Sequence, residues 1–63
     1  MNLPEQEIRT ILSSLKTIEE NDFCTFAQFV DEVRNYPDDF SCTVEELEYV
    51  IENREQLTNK YPL

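Results

Sequence analysis

The sequence predicts a mainly α-helical fold in which two amphipathic helices flank a short aromatic segment. Apolar residues recur at intervals of three and four in the first third and in the last third of the chain, which is the period of one helix face. Both stretches open with residues typical of a helix start. Five aromatic side chains crowd into residues 23–40 between them. We therefore expect helices at about residues 4–20 and 43–58 of one small domain, residues 1–63.

The first helix has a recognisable start and a regular apolar face. Asn2 is placed to cap it, Pro4 suits the first turn, and Glu5 favours the positive end of the helix dipole. The chain has no glycine, so asparagines such as Asn21, where the pattern fades, are candidates for left-handed positions. The apolar face comprises Ile8, Ile11, Leu12, Leu15 and Ile18.

The last helix begins with a capping box, in which Thr43 and Glu46 each satisfy an end amide. The stem of Arg54 can cover part of the apolar stripe that follows. The helix is expected to stop near Thr58, ahead of Pro62. The stripe comprises Val44, Leu47, Val50, Ile51 and Leu57.

The middle of the chain, residues 22–35, is open to two interpretations. Its apolar residues match helical spacing, and Thr25 with Gln28 forms a second potential capping box. Yet its aromatic and β-branched content favours a strand, which would need a partner strand, most simply from a second subunit. A turn follows at residues 35–42, where Pro37 forces a break.

The small size of the chain favours self-association. A chain of 63 residues buries only about 60% of its unfolded surface, and this one has two cysteines and no histidine with which to gain support from disulfides or metal. We therefore expect an intertwined homodimer closed by the helix stripes and the aromatic segment. The candidate contacts for the dimer or another partner are Leu12, Leu15, Phe23, Phe26, Phe29, Leu47, Ile51 and Tyr49.

Charge narrows the range of partners. With 14 acidic and 5 basic residues the formal net charge is −9, so phosphate backbones and anionic membranes would repel the chain. We expect no direct nucleic-acid or membrane binding, and no signal or membrane span is visible, which favours a cytoplasmic setting. Four carboxylates form an acidic stripe on the last helix, either as a solvated face or as an imitation of a phosphate backbone: Glu45, Glu48, Glu52 and Glu55.

Catalysis has little basis in this sequence. Without histidine, a serine or cysteine nucleophile lacks its commonest base. Cys24 and Cys42 are expected to be structural thiols, since a zinc site would need ligands from two subunits. We therefore predict no enzyme activity, no cofactor, and no catalytic or metal-binding residue.

The whole chain resembles the small early proteins of lambdoid temperate phages encoded between the exonuclease and excisionase genes. The resemblance lies in the length, the first helix with Ile8 and Leu15, the aromatic segment 23–30, and the capped helix at Thr43. It implies a dimer with two helices and one short strand per subunit that favours lytic development in a bacterial host, and it carries over no catalytic residue.

The sequence thus predicts a binding protein that accepts an amphipathic helix of a bacterial host protein in a hydrophobic cleft. The alternative is an acidic mimic of nucleic acid that blocks a basic nucleic-acid-binding protein.

Overall fold

The protein is a small helical bundle. A computed structural model describes residues 2–63, and within that range there are four α-helices, one short 3₁₀ helix and no strand. The helices are α1 (Glu5–Asn21), α2 (Phe26–Asn35), the 3₁₀ helix (Pro37–Asp39), α3 (Val44–Glu52) and α4 (Arg54–Lys60). The predicted mainly α fold is confirmed, and the described residues form one compact body of 30 × 26 × 17 Å.

The ends of α1 differ from the prediction in two details. Pro4, and not Asn2, is the N-cap residue, and no side chain caps this end. At the other end Asp22, and not Asn21, takes the left-handed conformation, with φ 52° and ψ 41°. Aspartate tolerates this region because its short polar side chain can bond locally. The Asn21 side-chain amide instead donates to the carbonyl of Thr17 at 2.9 Å.

The ambiguous middle segment is helical from Phe26 onward. The Thr25 backbone N–H donates to the Gln28 side chain at 2.8 Å, and the Gln28 N–H donates to the Thr25 hydroxyl at 3.1 Å. This confirms the second capping box, whose first residue, Thr25, has an extended backbone. Helical spacing places Val33, 1% exposed, in the core. Packing against α1 and α3 thus outweighs the strand preference of the aromatic residues.

The predicted last helix is interrupted. It was expected to run unbroken over residues 43–58, but Asn53 separates α3 from α4 with φ −107° and ψ 19°. The Asn53 side chain donates to the carbonyl of Tyr49 at 2.9 Å, and such local bonds compete with helical geometry. The Thr43–Glu46 capping box at the start of α3 is present as predicted. The break redirects α4, whose Leu57 completes the core beside α1.

The core is formed almost entirely by the two predicted apolar stripes. Only Val33, from α2, comes from elsewhere, so the stripes pack on each other within one subunit. The buried residues are Ile8, Ile11, Leu12, Leu15, Val33, Leu47, Val50 and Leu57.

Across residues 2–63, no helix combines the length and the apolar character that crossing a bilayer requires.

Candidate functional site

An open groove lies between α2 and α3. It has a volume of about 460 Å³. Its floor is apolar, because Phe26, Ala27 and Val30 of α2 face Ile51 of α3 there. Three of these side chains pack on the core from outside while keeping part of their surface exposed. The rim is charged and consists of Asp31, Arg34, Glu48 and Glu52. We call this set of eight residues the α2–α3 groove.

The groove continues along α4. A second concavity shares Phe26, Ile51 and Glu52 with it and extends past Glu55 to Asn59. The two together form one elongated surface. Such a shape suits a segment of polypeptide better than a small molecule, which is usually enclosed on most sides.

The charges on the two sides of the groove differ. On the α2 side, the Arg34 guanidinium lies 2.6 Å from the Asp31 carboxylate and 3.8 Å from Glu48 across the groove. On the α3–α4 side, Glu52 and Glu55 form no ion pair with any of residues 2–63. The unbalanced negative charge of the site therefore lies along the α3–α4 edge.

Arg54 fixes one end of the groove floor. Its guanidinium carbon lies 5.1 Å from the centre of the Phe26 ring, a cation–π distance. The same group donates to Glu19 of α1 at 2.7 Å and thereby lowers the pKa of that carboxyl. Arg54 of α4 thus contacts both α1 and α2. That its stem covers the apolar stripe stays a prediction.

The structure separates the predicted contact residues into three groups. Leu12, Leu15 and Leu47 are at most 2% exposed within one subunit, so in this conformation they offer no surface to a partner. Phe26 and Ile51 lie together in the α2–α3 groove.

The remaining predicted contacts lie elsewhere. Phe29 meets Phe40 edge to face, with ring centres 5.8 Å apart, in a separate cleft beside α1 that shares no lining residue with the groove. Phe23 is 71% exposed, and Tyr49 is half-buried against the core. Their role in a dimer stays a prediction.

The acidic stripe and the apolar floor, which the sequence presented as separate features, meet at the groove. All four stripe carboxylates are exposed, and Glu48, Glu52 and Glu55 line the groove or its continuation, whereas Glu45 does not. Sequence reasoning missed Asp31 and Arg34 as rim residues. Their spacing of three on a predicted helix was the available signal.

A second acidic cluster joins α1 to the start of α3. The pKa of Glu7 is raised by partial burial and by the neighbouring Glu46 carboxyl. Burial and these two carboxyls also raise the pKa of Cys42, which is the reverse of the shift that activates a cysteine nucleophile. No group of three potential metal ligands occurs in the part of the chain that the structure describes.

Comparison with known proteins identifies no relative: no family model, curated protein or solved structure matches the chain.

Proposed function

We propose that this chain is a non-enzymatic binding protein that docks a segment of another protein in the α2–α3 groove. One observation carries the proposal. Phe26, Val30 and Ile51 form a continuous apolar floor at the surface, although the core is already closed by other residues. Apolar surface that a small protein does not need for its own core is typical of an interaction site.

The resemblance to lambdoid phage early proteins gives the proposal its biological setting, although the short strand that it implies is absent from residues 2–63. Under it, the partner is a bacterial host protein met in the cytoplasm, and its capture favours lytic development. The aromatic segment supports this in one respect, since aromatic residues are enriched at the centres of protein interfaces.

Groove docking is tested by blocking the floor. Ala27 is exposed at the groove, so Ala27→Trp fills the groove without disturbing the core. Tagged, reduced protein would be used to capture partners from nuclease-treated bacterial lysate, with low-salt and then high-salt washes. We expect the partner to survive the high-salt wash with the natural sequence and to be lost with Ala27→Trp.

The matched control is Gln56→Trp, which places the same bulky side chain at an exposed position of α4 outside the groove. A partner that binds Ala27→Trp and Gln56→Trp equally well contradicts docking in the groove.

The acidic-mimic alternative has one supporting observation, the exposure of all four stripe carboxylates. The geometry supports it less well, because the break at Asn53 divides the stripe between two helices and Arg34 lies near Glu48. Mimicry requires a regular row of uncompensated negative charge.

Exchanging all four stripe glutamates for glutamine separates the two functions. We expect binding to be weakened yet still detectable, because the apolar floor remains intact. Complete loss of a nucleic-acid-binding partner, together with normal binding by Ala27→Trp, would favour mimicry instead.

A further inference from the structure

We infer that the occupant of the α2–α3 groove is a cationic amphipathic helix whose lysines or arginines follow one flank and pair with Glu52 and Glu55. The inference rests on the proposed function and adds the chemistry of the partner. Three features of the protein support it: the length of the groove, the uneven charge of its rim, and the shortage of free cations in the chain itself.

The groove has the length of a short helix. Phe26 and Arg34 are its outermost lining residues on α2, and at a rise of 1.5 Å per residue they are about 12 Å apart. That distance accommodates two to three turns of a partner helix. Apolar side chains at intervals of three and four on the partner would rest on Phe26, Val30 and Ile51.

The charges on the two sides of the groove indicate which flank of a partner helix carries its positive charges. The carboxylate of Asp31 on the α2 side is already matched by Arg34 at 2.6 Å. Glu52 and Glu55 on the opposite side have no ion-pair partner within residues 2–63. Although the break at Asn53 places them on different helices, both line the same concavity, so cations along one flank of a partner helix can reach both.

A second copy of this chain does not provide those cations. Of its five basic residues, four already lie in ion pairs with the chain's own carboxylates: Arg9, Lys16, Arg34 and Arg54. Lys60 packs over the Tyr61 ring at 5.4 Å. With a net charge of −9 on each copy, two acidic rims brought together would repel each other. Charge complementarity therefore selects a basic partner for this surface.

The test uses a pair of synthetic peptides of about 14 residues, long enough to form a helix on binding. Both carry the same leucine stripe, and the flank is lysine in one and glutamate in the other. Binding is measured by fluorescence anisotropy at low and moderate salt, and backbone amide NMR shifts locate the site. We expect the lysine peptide to shift groove residues and to bind at least about tenfold more tightly than the glutamate peptide.

Charge variants test whether the α3–α4 edge of the groove binds the cations of the partner. Glu52→Gln with Glu55→Gln is expected to weaken the lysine peptide about 3- to 10-fold. The control, Glu32→Gln with Asp38→Asn, removes the same charge from exposed positions outside the groove and is expected to weaken it less than about twofold. Circular dichroism confirms that both variants remain helical.

The other outcomes separate this inference from the proposed function. Equal binding of both peptides in the groove would overturn the cationic partner and leave a groove that docks helices without regard to charge. Equal weakening by both double variants would mean that net charge alone attracts the peptide. A dimer of the free protein that Ala27→Trp dissociates would assign the groove to a second copy. If neither peptide binds and Ala27→Trp captures partners normally, the proposed function fails as well.

Discussion

At the scale of single residues, α2 and α3 each begin with a pair of side chains three positions apart that bond to each other's backbone. Thr25 with Gln28 and Thr43 with Glu46 each form the predicted reciprocal bonds, because the spacing of three fixes their geometry. Asn2 and Asn21 did not take the predicted cap positions. Several residues near a helix end can serve there, and tertiary packing decides among them.

The Glu7–Glu46 contact predicts a pH-dependent stability. The pKa of Glu7 is raised above its ordinary value of 4.5, so its contribution to stability is complete below that value and is lost as pH rises through the raised pKa. Glu46 is the facing carboxyl, and the nearby Cys42 thiol is neutral in this range. Replacing Glu7 with glutamine removes the ionised form. We therefore expect Glu7→Gln to stabilise the protein at pH 7 by at most about 0.5 kcal/mol.

Urea denaturation at pH 7 and at pH 4 measures this difference. The gain is expected at pH 7 and should shrink as the pH falls through the raised pKa of Glu7, so that little of it remains below 4.5. Glu32→Gln serves as the control for loss of net charge, since Glu32 is exposed on α2. A gain in Glu32→Gln equal to that in Glu7→Gln would assign the effect to net charge and not to the pair.

At the scale of elements, periodicity was a better guide than residue preference. The spacing of Phe26, Val30 and Val33 predicts helix, whereas the residue types favour strand, and the structure has the helix. Strand preference reflects how a side chain fits a pleated sheet surface, and residues 2–63 contain no sheet to receive this segment. The break at Asn53 could not be predicted from the stripe, because Val50 before it and Leu57 after it follow the same helical period.

The sequence predicted some residues of the candidate site but not that they lie together. Phe26, Ile51, Glu48 and Glu52 were singled out by type, as aromatic, apolar and acidic residues. Their meeting in one groove depends on how α2 crosses α3, which periodicity within a single helix does not determine. The residues that complete the site, such as Val30, were predicted only as part of a helix face.

At the scale of the whole molecule, the structure changes the argument for self-association. Leu12, Leu15 and Leu47 were among the predicted dimer contacts, yet these residues are buried within one subunit. The helices therefore form a closed core without a second chain. What remains for a dimer, apart from the groove, is the exposed Phe23 side chain and, separately, the Phe29–Phe40 contact.

Self-association through Phe23 can be tested with a substitution that leaves the core intact. Phe23 is 71% exposed, so Phe23→Asp removes apolar contact area without creating a cavity. If Phe23 lies at the centre of a dimer, the variant should remain helical and sediment as a monomer, because a buried carboxylate in an apolar interface is strongly unfavourable. Sedimentation velocity over a range of concentrations measures the oligomeric state.

Tyr36→Asp is the matched control, since Tyr36 is 56% exposed and was not a predicted contact. A natural protein that sediments as a 7.5 kDa monomer at every concentration would show the dimer prediction to be wrong, and docking in the groove would then be the action of a single chain.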